Sequence, residues 1–223
     1  MAPAEASRAQ GTVDAMGAED PKGRRERTAA LGYDDGRYWA RRSDFIYYRY
    51  VDLMVRATAA EARSMIDVGT GGCPYLEWFD WIPERVSFDV ASPYRSETVT
   101  GIEGELLSHR FERRFDVCTC LQVLEHVPDA APFARKLQEI ARLVIVSVPL
   151  GWPKGATKSH VHDPVTPEKL AGWMGREPNY AIAVREPFLG RKGRRLIALY
   201  DEDPERRFGS KTWKGRRVRE QAL

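Results

Sequence analysis

The chain has 223 residues, of which 30% are charged, and its formal net charge is +3. This length suits one sizeable hydrophobic core with tails, and so small a net charge does not favour a nucleic-acid-binding protein. No apolar run approaches the roughly 18 residues of a membrane helix, and the N-terminus lacks the apolar centre of a secretory signal. The three cysteines, an odd number, indicate buried thiols and no disulfide framework. We therefore expect a cytoplasmic protein with no membrane partner.

The two ends of the chain differ in composition from its middle. Residues 1–30 are rich in alanine, glycine and charge and have no apolar period, so we expect a disordered leader. Residues 33–60 carry apolar side chains at helical spacing together with many tyrosines, which predicts a helical lid in front of the first strand. The lid belongs to a single predicted domain over residues 31–202. Residues 203–223 form a basic tail in which we expect no regular structure.

A strand, a glycine turn and a helix start follow one another at residues 63–78. The apolar run 65–68 contains Asp67 and leads directly into the sequence Gly-Thr-Gly-Gly at residues 69–72. Glycine allows the positive φ of a tight turn and lets a ligand lie against the main chain, so this arrangement predicts a nucleotide-like ligand. Pro74 stands where a dinucleotide fingerprint has its third glycine, and no Lys-Ser or Lys-Thr pair closes the loop. NAD and nucleoside triphosphates are therefore disfavoured.

Strands and helices alternate through the rest of the domain. Apolar patterns predict further strands at residues 86–90, 98–102, 115–121, 143–148, 180–184 and 196–200. A helix is predicted at residues 132–142, and a second one begins at Thr166-Pro167, but the second and third strands are joined by a connection too short for a long helix. We predict an α/β fold with a Rossmann-like, mostly parallel seven-stranded sheet, helices on both faces and an antiparallel last strand.

Acidic and polar residues recur where the predicted parallel strands end. Asp89 ends the second strand, Glu105 follows the third, and Leu121-Gln122 follows the fourth. Since ligands bind at the carboxyl ends of such strands, these residues predict one shared crevice. The pattern Asp67-x-Gly-x-Gly, then Asp89, Glu105 and FDVCTCLQVLEHV, resembles the class I S-adenosylmethionine-dependent methyltransferases of the type 11-like, small-molecule subgroup. The resemblance covers residues 64–200.

The resemblance implies S-adenosylmethionine as cofactor. A carboxylate in the place of Asp89 accepts from both ribose hydroxyls, Glu105 receives the adenine amino group, and Asp67 either holds the glycine loop or meets the ammonium of the methionine portion. The full set of implied cofactor-binding residues is Asp67, Gly69, Thr70, Gly71, Asp89, Glu105, Leu106, Leu121 and Gln122.

Histidines supply the candidate catalytic groups. A base is required only when the methyl acceptor must lose a proton, and histidine titrates near neutrality. His126 follows the fourth strand, while His160 and His162 lie on the loop after the fifth. Some methyltransferases hold a divalent ion with an E-x-x-E-H run at this place. Here Gln122 stands in the place of the first carboxylate ligand, so we assign no metal site. Glu125 and His126 with either loop histidine would still offer ligands.

Several functions compete at this stage. We expect methyl transfer to a small molecule, with a hydroxyl of a sugar, a saccharide-linked group or another secondary metabolite as the acceptor. A methyltransferase acting on RNA or protein is an alternative supported only by the basic tails. An NAD-dependent oxidoreductase and a cofactor-binding module without catalysis are alternatives from other classes. A small-molecule substrate is the expected partner, and a homodimer stays open.

Overall fold

A seven-stranded sheet forms the centre of the computed structural model, which describes residues 37–218. The expected disordered leader, residues 1–30, lies outside the described residues. The strands are β1 (Ser64–Val68), β2 (Glu84–Asp89), β3 (Thr100–Glu103), β4 (Phe115–Leu121), β5 (Ala141–Pro149), β6 (Tyr180–Arg185) and β7 (Arg194–Asp201). The helices are α1 (Arg37–Ala40), α2 (Ile46–Thr58), α3 (Ala130–Ile140), α4 (Pro167–Met174) and α5 (Ser210–Lys214). Short 3₁₀ helices occupy Pro74–Phe79, Leu124–His126 and Gly190–Gly193.

The strand order is β3-β2-β1-β4-β5-β7-β6. The first five strands in this order pair in parallel, and β7 is antiparallel to both of its neighbours. The fold class predicted from the sequence is confirmed. Because β1 and β4 are adjacent and parallel, Asp67 lies beside Thr119, and both side chains enter the same layer.

Apolar side chains cover both faces of the sheet. All five residues of β1 are buried, and eight of the nine residues of β5 are buried, as is usual for strands covered on both sides. Helices α3 and α4 pack on one face through Leu137, Ile140 and Leu170. Helix α2 and the 3₁₀ helix Pro74–Phe79 pack on the other, with Val51 among their contacts. These two layers fix the strand ends that form the candidate site.

The segment after the glycine turn is shorter than a normal α-helix. The sequence predicted a helix start after the glycine turn, and the structure has six residues of 3₁₀ helix, Pro74–Phe79. Its Glu77 carboxylate accepts hydrogen bonds from Thr98 Oγ1 at 2.7 Å and Tyr94 Oη at 3.2 Å. Both donors belong to the β2–β3 connection, which has no helix. The short crossover predicted from the sequence is therefore confirmed, and Glu77 holds it against the 3₁₀ helix.

The N-terminus of α2 is capped by a distant residue. Its N-cap position, Phe45, offers no side-chain acceptor. The Glu186 carboxylate, after β6, accepts from the backbone N–H of Ile46 at 2.8 Å and of Tyr47 at 2.9 Å. The first amides of a helix have no partner within the helix, so this contact satisfies two of them. Helix α2 is thereby tied to the β6–β7 hairpin.

The predicted start of α4 is confirmed, whereas the expectation of a tail without regular structure is wrong. Thr166 Oγ1 accepts from Lys169 N at 3.2 Å as the N-cap of α4. The tail was expected to be aperiodic, but α5 occupies Ser210–Lys214, its Trp213 ring lies 5.1 Å from that of Tyr180, and Arg217 N donates to a carbonyl of α2. No helix within residues 37–218 is long and apolar enough to span a membrane.

Candidate functional site

A cavity of about 430 Å³ opens at the carboxyl ends of β1, β2 and β4. This volume falls within the range of roughly 300–1,000 Å³ typical of small-molecule sites. The sequence-predicted cofactor residues that line it are Gly69, Thr70, Gly71, Asp89, Glu105, Leu106, Leu121 and Gln122. The topology of the sheet thus brings together residues that are far apart in the chain.

The glycine turn presents bare main chain to the cavity. Gly69 has φ of 82° and Gly71 has φ of 56°, a region in which L side chains are strained. Asp89 Oδ2 accepts from the N–H of Gly71 at 3.0 Å, and Oδ1 accepts from the N–H groups of Ala91 at 2.9 Å and Ser92 at 3.1 Å. Asp89 therefore couples the turn after β1 to the turn after β2. Its carboxylate is on the cavity wall and retains lone pairs for a further donor.

Asp67 lies beneath the glycine turn and does not line the cavity. Its carboxylate accepts from Thr119 Oγ1 at 2.7 Å and from the hydroxyl of Tyr75. Burial raises the pKa of Asp67 to about 6, against the lowering effect of these hydroxyl donors. Of the two roles left open by the sequence, support of the loop agrees with this position, and contact with a ligand ammonium does not.

Gln122 adopts a strained backbone at the end of β4. Its φ is 58°, which is uncommon for a residue other than glycine and often marks a functional site. The conformation is held because Gln122 N donates to Ser147 O at 2.8 Å and Nε2 donates to Ser147 Oγ at 3.1 Å. The chain therefore turns sharply at Leu121 and exposes this stretch to the cavity.

The opposite wall comes from the lid and from the loop after β5. Tyr38 and Tyr48 reach the cavity from α1 and α2, and the loop contributes residues 158, 159 and 161. Sequence reasoning missed other lining residues, among them Phe88, Val123 and Phe133. Their apolar patterns gave no signal that separates a ligand contact from ordinary core packing.

The three candidate catalytic histidines occupy different environments. His126 lines the cavity, and its Nδ1 lies 3.0 Å from Ser159 O. Burial lowers the pKa of His126 below its usual value of 6.5, which keeps the imidazole neutral at pH 7. His160 Nδ1 lies 2.8 Å from Asp163 Oδ2, and His162 Nε2 lies 2.8 Å from Val127 O. Neither His160 nor His162 is among the described residues that line the cavity.

A carboxyl group lies beside these histidines. Glu125 is 1% exposed, and His126 Nε2 is 4.0 Å from its Oε1. Burial raises the pKa of Glu125 to about 8. One ligand atom from each of Glu125, His126 and His160 lies within 4.8 Å of the others, the one such grouping found among residues 37–218.

No family model matches the sequence. The ubiquinone biosynthesis O-methyltransferase of Proteus mirabilis (strain HI4320) is 29% identical over 103 residues, 40% of this chain and 42% of that protein. The match thus spans less than half the length of this relative.

Two solved structures resemble the chain over most of its length. The N-methyltransferase NodS from Bradyrhizobium japonicum WM9, in complex with S-adenosylhomocysteine, gives a TM-score of 0.62 at 12% identity, covering 82% of this chain and 98% of that one. The 1,6-didemethyltoxoflavin-N1-methyltransferase of Burkholderia thailandensis, with bound 1,6-didemethyltoxoflavin and S-adenosylhomocysteine, gives a TM-score of 0.62 at 17% identity, covering 90% of this chain and 93% of that one. The chain therefore has the fold of the class I S-adenosylmethionine-dependent methyltransferases, and the resemblance predicted from its motifs is confirmed at that level.

Proposed function

We propose that this protein binds S-adenosylmethionine and transfers its methyl group to a small molecule. The observation that carries the proposal is the convergence of the glycine turn, the Asp89 carboxylate and Glu105 on one cavity at the strand ends. These groups match the chemistry of the ligand, because bare main chain suits the methionine portion and a carboxylate suits the two ribose hydroxyls. The structural neighbours were determined with S-adenosylhomocysteine, which supports the same ligand here.

Thermal denaturation tests cofactor binding. A ligand at about 100 times its Kd stabilises the folded state by about 2.7 kcal/mol, which for a domain of this size raises Tm by roughly 5–10 °C. We expect that shift with S-adenosylhomocysteine and none with NAD. Asp89→Ala removes it, whereas Asp80→Ala, an exposed aspartate outside the cavity, leaves it unchanged. An equal shift in both variants, or a shift with NAD alone, would refute the assignment.

The acceptor side of the cavity lies near His126, with Lys158 and Ser159 as polar neighbours. We assign a hydroxyl acceptor there, on a sugar, a saccharide-linked group or another secondary metabolite. The acceptor oxygen forms a bond to the methyl carbon as the carbon–sulfur bond breaks, and sulfur keeps the electron pair as a neutral thioether. The hydroxyl proton leaves toward His126, whose neutral imidazole is able to accept it. The histidine supports this choice, since a neutral amine acceptor needs no base before attack.

Product analysis tests the acceptor class. The protein is incubated with donor and with panels of small hydroxyl and amine compounds, and products are identified by mass and fragmentation. Methylation at oxygen is expected, with His126→Asn lowering kcat by about 10²-fold or more. Methylation confined to nitrogen, or an unchanged kcat in the variant, would contradict the hydroxyl assignment without touching cofactor binding.

A further inference from the structure

The Glu125 carboxyl is buried without a hydrogen bond. The residue is 1% exposed, and neither Oε1 nor Oε2 has a hydrogen-bond partner. An unpaired ionised carboxylate in such a place costs several kcal/mol, so a buried one is normally protonated, paired with a cation or bound to a metal. The guanidinium of Arg195 exerts a favourable charge effect on Glu125, but it donates its hydrogen bonds to the carbonyls of Lys192 and Arg194.

Two imidazoles face the same place. His126 Nε2 lies 4.0 Å from Glu125 Oε1, too far for a hydrogen bond, and one nitrogen of His160 lies within 4.8 Å of the other two ligand atoms. Nitrogen and oxygen ligands about 2.0–2.2 Å from a zinc ion stand roughly 3–4 Å from one another. The three groups thus need to contract only slightly to share one ion.

The outer hydrogen bonds of both histidines prepare them as ligands. A carbonyl only accepts, so the Nδ1 of His126, 3.0 Å from Ser159 O, carries the proton and leaves the Nε2 lone pair available. His160 Nδ1 donates in the same way to Asp163 Oδ2 at 2.8 Å, and these two side chains are 5% and 1% exposed. A metal-bound histidine usually donates its second nitrogen to a carboxylate or carbonyl, which fixes the ring and its tautomer.

We propose that Glu125, His126 and His160 form a binding site for a divalent transition-metal ion, with Asp163 and the Ser159 carbonyl as its outer partners. Two imidazoles and one carboxylate suit zinc, manganese or iron better than magnesium or calcium, which prefer oxygen ligands. Charge supports the choice, because Glu125 and Asp163 outnumber the single nearby arginine, Arg195.

The ion would also bear on the proposed function. His126 lines the cavity, so an acceptor oxygen bound there would lie beside one of the proposed ligands of the ion. If the ion coordinated that oxygen, it would lower the pKa of the hydroxyl and promote loss of the proton, and His126 would then serve as a metal ligand and not as the base. This step rests on the proposed function, whereas metal binding itself does not.

Metal titration of the whole chain tests the site. Protein stripped with a chelator is titrated with Zn²⁺ by calorimetry and with Co²⁺ by visible absorption, which reports bound nitrogen and oxygen ligands directly. We expect one tight equivalent per chain, little binding of Mg²⁺ and a rise in Tm with Zn²⁺. Glu125→Gln and His160→Asn are expected to weaken binding by more than 100-fold, and Asp163→Asn by about 10- to 100-fold.

His109→Gln is the matched control, because this histidine packs against the rings of Phe88 and Phe111 and is not part of the cluster. It should bind Zn²⁺ as the unaltered protein does. Absence of a tight equivalent, or equal loss in His109→Gln and Glu125→Gln, would overturn the proposal. S-adenosylhomocysteine is titrated into the same preparations. If S-adenosylhomocysteine binds and Zn²⁺ does not, the metal site alone is refuted. If Zn²⁺ binds and S-adenosylhomocysteine does not, the proposed function alone is refuted.

Discussion

Substitution of Gly69 by alanine tests how the turn after β1 meets the end of β4. Gly69 has φ of +82°, and a Cβ added to it would overlap Val123 Cγ2 and lie 3.1 Å from Cγ1. Valine is stiff at χ1, so it cannot yield by simple rotation. Val123 also lines the cavity, and its displacement would narrow the space in which we propose that the cofactor binds.

Two effects add in this variant. A left-handed backbone costs alanine about 1–2 kcal/mol, and pushing a packed side chain aside costs about 1–3 kcal/mol. The free energy of unfolding should therefore fall by roughly 2–5 kcal/mol. Gly151→Ala is the matched control, since Gly151 has φ of +62° and nothing within 4 Å of an added Cβ. It carries only the backbone effect, about 1–2 kcal/mol.

Urea denaturation measures both variants, and calorimetry measures their affinity for S-adenosylhomocysteine. Gly69→Ala should be less stable than Gly151→Ala and should bind the ligand at least tenfold more weakly than the unaltered protein. Equal destabilisation by the two substitutions, with ligand affinity unchanged in both, would refute the steric reasoning and the position of the cofactor beside the turn.

Three further outcomes follow from buried groups. Burial raises the pKa of Asp67 from 3.8 to about 6 in the folded protein. Between these pH values the native state binds more protons than the unfolded state. The free energy of unfolding therefore falls as the pH rises from 3.8 to about 6, by up to about 3 kcal/mol from this residue. Asp67→Asn should remove this contribution to the pH dependence measured by urea denaturation between pH 4 and 7, and a pH profile identical to that of the unaltered protein would contradict it. Glu186→Ala leaves the first two backbone amides of α2 without their acceptor and should lower the free energy of unfolding by about 2 kcal/mol. In thermal denaturation, Glu186→Gln should have a Tm closer to that of the unaltered protein. Cys73 is 3% exposed, and burial raises its pKa to about 12, so iodoacetamide at pH 8 should label it only after unfolding, and rapid native labelling would show the burial to be wrong.

The strand pattern was readable from the sequence because the sheet is covered on both faces. Continuous apolar runs such as β5 and the glycine turn at residues 69–72 need little context to be recognised. The convergence of Asp89 and Glu105 on one crevice follows from a general property of parallel sheets and required no side-chain detail. These parts of the prediction depend on short-range signals that the fold preserves.

Contacts between distant segments were beyond sequence reasoning. Nothing near Phe45 indicates that Glu186, 140 residues from Ile46, caps α2. Likewise, the alternation of a strand does not say which acid meets a ligand, and Asp67 turns toward Tyr75 and Thr119 inside the sheet. In both cases the partner is chosen by tertiary packing.

The loop after β5 was predicted from the sequence only in part. The sequence predicted a loop after the fifth strand, and the structure has an irregular segment there of which residues 158, 159 and 161 line the cavity. That neither His160 nor His162 lines the cavity was not readable from the sequence. The hydrogen bonds to Asp163 and to the Val127 carbonyl decide it, and each requires the folded loop.

Calorimetric titration of the unaltered protein with S-adenosylhomocysteine, alongside an identical titration with NAD, tests the central claim most directly. The convergence of the glycine turn and Asp89 on one cavity predicts saturable heat at one ligand per chain with S-adenosylhomocysteine and no binding heat with NAD. Absence of heat with S-adenosylhomocysteine, or equal binding of NAD, would contradict the account.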